Sequence, residues 1–188
     1  MDAFNRIWLA PSIVLGLGIA RLLSDAVLLF RSRLRAKMDW VPLIWAACIF
    51  LWQVQYLWAV VELPSLSSTW TVVDFALLLT LSLLLFLAGA LVLPDSEMSA
   101  GASLEESFRQ DGRWALVALS LWCGCAVVVN WKWFDVSPAS AQALIMLAIA
   151  SVPLVYLVAP SRKIREWVSI ANIPLTLWAI WMLSPKSY

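Results

Sequence analysis

The chain has 188 residues, of which 63% are hydrophobic and 13% charged, with 13 Lys plus Arg against 12 Asp plus Glu and no His. A mean hydropathy of +0.86 excludes a water-soluble domain, because so few charges cannot cover a hydrated surface of that size. The near-neutral balance gives no nucleic-acid signal, and the absence of imidazole removes the usual general base, haem ligand and zinc ligand.

Six stretches are apolar enough to cross a bilayer, at residues 7–30, 40–61, 71–93, 114–130, 139–159 and 167–183; a span needs about 20 such residues. The runs are continuous rather than alternating, so they predict helices and not the strands of a barrel. The expected fold is all-α, a single polytopic bundle of six transmembrane helices. Arg31, Arg33, Arg35 and Lys37 fill the first break, Arg109 and Arg113 the third, and Arg162, Lys163 and Arg165 the fifth. The other side holds Arg6, Lys132 and Lys186. Basic breaks stay in the cytoplasm, which places both termini outside. The first span has no basic segment before it and no small-residue cleavage site, so a retained helix is expected.

In the first span Ser12, Gly16, Ala20 and Ser24 recur every four residues, with Gly18 beside them. Such a stripe allows close helix approach and predicts a helix inside the bundle or in a subunit interface. Arg21 and Asp25, four residues apart, share a face. Two readings stand open: an ion pair whose Arg reaches toward the inner surface, and a polar site reached from the cytoplasm.

The second span carries Trp45, Cys48, Trp52, Gln55 and Glu62 on one stripe, with Tyr56 a turn from Trp52 and Gln53 directed away from Gln55. Helix packing produces this pattern, and so does a site for a flat ligand such as a quinone, haem or pigment; the sequence specifies no cofactor. Cys48, Cys123 and Cys125 lack metal-ligand spacing and are read as small buried hydrophobes. Asp74 falls in the first turn of the third span, where the helix dipole favours a carboxylate.

The long break at residues 94–113 contains Ser103-Leu104-Glu105-Glu106, which fits a capping box, and Phe108 follows Leu104 by four. A short interfacial helix and a solvated loop both suit it. Asn130, Lys132 and Asp135 are expected in a solvated outer turn. Trp40, Trp114 and Trp167 open spans on the inner side, and Trp8, Trp58, Trp70, Trp131, Trp133, Trp178 and Trp181 gather on the outer one, as interfacial anchors do. Trp45, Trp52 and Trp122 lie deeper, where helix packing accounts for them.

Pro153 and Pro174 interrupt the last two spans at comparable depths, with Asn172 close by. Each frees a carbonyl one turn earlier, and broken helices build the midplane sites of transporters. Arg21, Asp25, Asn172, Pro153 and Pro174 therefore form a candidate intramembrane polar site.

Ile13-Val14-Leu15-Gly16-Leu17-Gly18-Ile19-Ala20-Arg21-Leu22-Leu23, the basic run after it, Val54-Gln55-Tyr56-Leu57-Trp58-Ala59 and Leu91-Val92-Leu93-Pro94-Asp95 together resemble a group of uncharacterised small multi-pass proteins of bacterial inner membranes. The resemblance covers the first half of the chain and implies that location, with no activity attached. Asp25 departs from the small residue expected there. The leading functional expectation is a non-enzymatic accessory, scaffolding or sensory subunit whose partners are lipid and other membrane subunits or further copies of itself. The alternative is a small-solute channel or transporter built on the polar layer.

Overall fold

The computed structural model describes residues 9–62, 71–134, 137 and 139–183. Arg6, Trp8, Trp70, Asp135, Lys186 and the side chain of Glu62 lie outside the described residues. The helices are α1 (Leu9–Ser32), α2 (Trp40–Glu62), α3 (Val72–Val92), α4 (Leu104–Ser107), α5 (Arg113–Phe134), α6 (Ala141–Val158) and α7 (Arg162–Leu183). A π-turn, Phe108–Gly112, joins α4 to α5, so residues Leu104–Trp133 form one continuous helical run whose later part is apolar enough to span a membrane. Among the described residues the fold is thus all-helical, with six helices long and apolar enough to span a membrane.

Neighbours in space are not simply neighbours in sequence. Around the bundle run α1, α3, α5, α6, α7 and α2, and α2 closes the circuit against α1 while also packing on α3. The aromatic side chains of α2 reach the remaining helices. Trp45 meets Tyr156 of α6, and Trp52 and Tyr56 both meet Trp122 of α5. With neighbours on several sides, α2 buries more than one stripe, and Trp45, Ile49, Trp52, Gln53 and Val60 are all at or below 1% exposure.

This corrects the reading of its amides. Gln53, expected to point away from the stripe, is fully enclosed, whereas Gln55 is only half-buried. The Gln53 Nε2 donates to the Leu85 carbonyl of α3 at 3.0 Å. Its amide fits because α1 and α3 place glycines there: a Cβ on Gly18 would lie 3.0 Å from Nε2, and one on Gly89 only 2.6 Å.

The segment 94–112 folds against one end of the bundle. Lys37 N donates to Ala102 O at 2.8 Å, Leu104 N to Lys37 O at 3.1 Å, and Gly101 N to Arg35 O at 2.9 Å, so this segment is laced to the α1–α2 loop. Leu104 and Phe108 are buried, and Phe108 sits edge-on to Tyr156. A short helix does form here, with Leu104 and Phe108 packed into the core and Glu106 and Arg109 exposed, so the segment is not a solvated loop. Ser103 makes no side-chain cap. A capping box forms instead at Thr71, whose hydroxyl accepts from Asp74 N while the Asp74 carboxylate accepts from Thr71 N.

Candidate functional site

The small-residue stripe and the buried face of α1 are different faces. Pro11, Leu15, Gly18, Leu22, Asp25, Leu29 and Ser32 turn inward, while Gly16, Ala20 and Ser24 are exposed and Ser12 is half-buried. The stripe thus does not bring α1 into the interior. Among the described residues a Cβ added at Gly16 would meet nothing within 4 Å, so nothing in their packing demands a glycine there.

Asp25 lies on the inward face at 1% exposure. Arg21 Nε donates to its Oδ2 at 3.1 Å, and the guanidinium, with its side chain 43% exposed, also approaches Asp95 Oδ2 at 3.8 Å. Asp95 follows the end of α3, so the Arg21 head group is drawn to the end of the bundle that carries the 94–112 segment. Burying a carboxylate is tolerable when a cation and a hydrogen bond accompany it. Arg21 supplies both and keeps one side toward the surface.

Asn172 belongs to another contact, between α2 and α7. It is 2% exposed and flanks Cys48 together with Thr176. One turn earlier, Trp45 Nε1 donates to Ser169 Oγ at 3.0 Å, and Ser169 donates in turn to the Arg165 carbonyl at 2.8 Å. This polar seam fastens α7 to the central helix. Pro153 is buried within α6, but Pro174 is on the exposed side of α7, so the two interruptions do not face a common space. The candidate layer is accordingly divided: an Arg21–Asp25–Asp95 group on α1 and α3, an Asn172 seam on α2 and α7, and two prolines turned apart.

The aromatic stripe is packed by protein. Trp52 and Trp122 ring centres lie 5.3 Å apart, Tyr56 and Trp122 5.8 Å, and Trp45 and Tyr156 5.6 Å, distances of direct aromatic packing. Tyr56 donates its hydroxyl to the Leu78 carbonyl at 3.1 Å. Four atoms on fully or nearly fully buried residues find no partner among the described residues: Gln53 Oε1, Ser120 Oγ, Trp122 Nε1 and Thr176 Oγ1. Among the described residues no group of three or more Cys, Asp or Glu side chains is placed to hold a metal ion.

Charged contacts concentrate at the two ends. Arg162, at the start of α7, reaches Asp39 at 2.8 Å, Glu105 at 2.7 Å and Glu166 at 2.9 Å. It thereby joins the starts of α2, α4 and α7 around a shallow cleft lined by Phe108, Tyr156 and Arg165. At the other end Asp74 accepts from Lys132 at 2.6 Å and from Trp133 Nε1 at 3.1 Å. Lys132 is therefore not a solvated turn residue. It stands in the last turn of α5, where a cation is favoured by the helix dipole, and ties that turn to the first turn of α3.

Sequence reasoning missed Gln53, Ser169, the glycine crossing and the carboxylate partners of Arg162. A polar residue in an apolar run was the available signal for Gln53 and Ser169. Of the Arg162 contacts, Glu166 lies one helical turn away and had that local signal, whereas Asp39 and Glu105 are more than 50 positions distant and had none. In comparisons with known proteins, no family model, curated protein or solved structure matches this chain.

Proposed function

We propose that this chain is a non-enzymatic multi-pass protein of a bacterial inner membrane that serves as an accessory, scaffolding or sensory subunit, joined to other subunits or to its own copies through α1. Its basic breaks face the cytoplasm and both termini lie outside, following the distribution of Lys and Arg. The observation that carries the subunit reading is the small-residue face of α1. It is turned outward, and its glycine leaves room that none of the described residues fills. In lipid there is no hydrophobic drive to bring helices together, so close backbone approach at small residues is a main source of association.

Buried polar groups elsewhere support the same reading, since their hydrogen bonds hold helices to one another: Gln53 on α3, Trp45 on α7 and Asp74 on α5. The test is gentle extraction of the tagged full chain and native mass determination, alongside Gly16→Leu. A stoichiometric assembly in the parent chain, reduced at least tenfold in the variant, is the expected result. A lone monomer from native membrane, or an assembly indifferent to Gly16→Leu, overturns the role of this face.

A further inference from the structure

The loop between α1 and α2 differs from the other charged parts of its end of the bundle. Arg162 is engaged by three carboxylates, Arg21 by two and Arg109 by Glu106. Arg31, Arg33, Arg35 and Lys37 have no carboxylate within ion-pair distance among the described residues, and all four are exposed. The acidic residue that follows them, Asp39, is buried and held by Arg162. Arg113, Lys163 and Arg165 also lack carboxylate partners, but they stand on the first turns of α5 and α7 rather than in one run. The exposed carboxylates in the adjoining 94–112 segment are Asp95, which Arg21 approaches, Glu97, Glu106, which Arg109 approaches, and Asp111.

The cations are interleaved with exposed apolar side chains. Leu34 is 88% exposed between Arg33 and Arg35, and Phe30, Met38 and Trp40 are exposed around it. The Arg33 guanidinium lies 3.9 Å over the Phe30 ring and donates to the Phe30 carbonyl at 2.9 Å. Exposed leucine and aromatic groups among unneutralised cations are poorly placed in water and well placed at a headgroup boundary, where the apolar part enters the acyl region and the charges meet phosphates. The depth agrees. The 24 residues of α1 extend about 36 Å at 1.5 Å per residue, more than the roughly 30 Å hydrocarbon core, so its last turn reaches the headgroups. Trp40, Trp114 and Trp167, all exposed at this end, mark the same level.

The loop is held in place before any lipid arrives. Arg35 N and Ala36 N both donate to Ser32 O, the 101–104 backbone bonds to Arg35 and Lys37, and Met98 N donates to Ser32 Oγ at 3.2 Å. Fixing the backbone in advance lowers the ordering cost of binding.

We propose that the 31–37 loop is a preorganised contact for anionic phospholipid headgroups, with Arg31, Arg33, Arg35 and Lys37 meeting the phosphates and Leu34 entering the acyl boundary. It rests on the six helices crossing a bilayer and is independent of the subunit reading.

The experiment uses the full chain in neutral detergent, with phosphatidylglycerol or phosphatidylcholine added and retained lipid counted by native mass spectrometry. At least tenfold preference for phosphatidylglycerol is expected, with affinity falling roughly fivefold per cation removed. Combining Arg31→Gln, Arg33→Gln, Arg35→Gln and Lys37→Gln should abolish the preference. If that variant does not fold, Arg31→Gln with Arg35→Gln and Arg33→Gln with Lys37→Gln are read separately. Equal retention of the two lipids, or a preference unchanged in folded variants, overturns the proposal. So does displacement of the lipid by millimolar inorganic phosphate, which would make this a site for the free anion. The same spectra report subunit number, so failure of the subunit reading is seen separately from loss of lipid.

Discussion

Two glycines of α1, two residues apart, stand in opposite circumstances. Gly18 faces inward, where an added Cβ would press on the Gln53 amide at 3.0 Å and on the Phe86 backbone at 3.4 Å; Gly16 faces outward, with nothing within 4 Å. One glycine gives room to the Gln53 amide at the crossing of α1 and α3, and the other is required by nothing among the described residues. The difference teaches that small residues in one helix can serve separate contacts, one made within the subunit and one left for another surface.

The strongest way to break this contrast is to fill the inner side. Gly89→Leu, opposite Gly18 and at a position where even a Cβ would lie only 2.6 Å from the Gln53 Nε2, should destabilise the fold by about 1–3 kcal/mol, the usual cost of overpacking. Melting in detergent measures it, and an unchanged transition would contradict the crossing. The next effect concerns α1, one turn on from Gly18. Arg21→Gln should cost about 2 kcal/mol. That is less than the several kcal/mol lost when a fully buried pair is broken, because the Arg21 side chain is 43% exposed while Asp25 is nearly enclosed. Asp25→Asn together with Arg21→Gln should recover part of the loss, since no buried carboxylate then lacks its cation; a double variant no better than the single would refute the pairing.

A smaller change tests the end remote from the 94–112 segment. Thr71→Ala removes the cap of α3 and one hydrogen bond to Asp74 and should cost about 1 kcal/mol. Lys132 should retain its ion pair, so hydrogen exchange is expected to rise in the first turn of α3 and not in α5. The smallest effect sharpens the original comparison. Gly16→Leu should leave the melting of the isolated subunit within about 0.5 kcal/mol of the parent, as surface changes generally do. A large loss would show that the outward face is used inside the subunit after all.

Much of the architecture was legible because its signals are local. Span length, continuous hydropathy and Trp at the helix ends concern a segment and its solvent, so six helices follow without knowledge of their neighbours. The pairing of Arg21 with Asp25 was legible for the same reason, four residues being one helical turn. Gln53 was misread because α2 was treated as having one buried face, whereas several helices surround it. The candidate polar layer did not assemble because equal depth along two spans carries no information about which helices touch. Lys132 and the Ser103 box failed similarly: each has a plausible local role that a contact from elsewhere displaces.

The sequence by itself determined that this chain forms helices long and apolar enough to cross a membrane, through 63% hydrophobic residues gathered in continuous runs, and it determined which residues are costly to bury. Tertiary structure alone decided that α3 lies beside α1, that Gln53 and not Gln55 enters the crossing, and that the small-residue stripe faces away. Hydropathy acts between a residue and its solvent, and can be summed along the chain. Helix partnership depends on the shapes of surfaces many residues apart, where a single methyl at Gly18 or Gly89 would press on the Gln53 amide seated between α1 and α3.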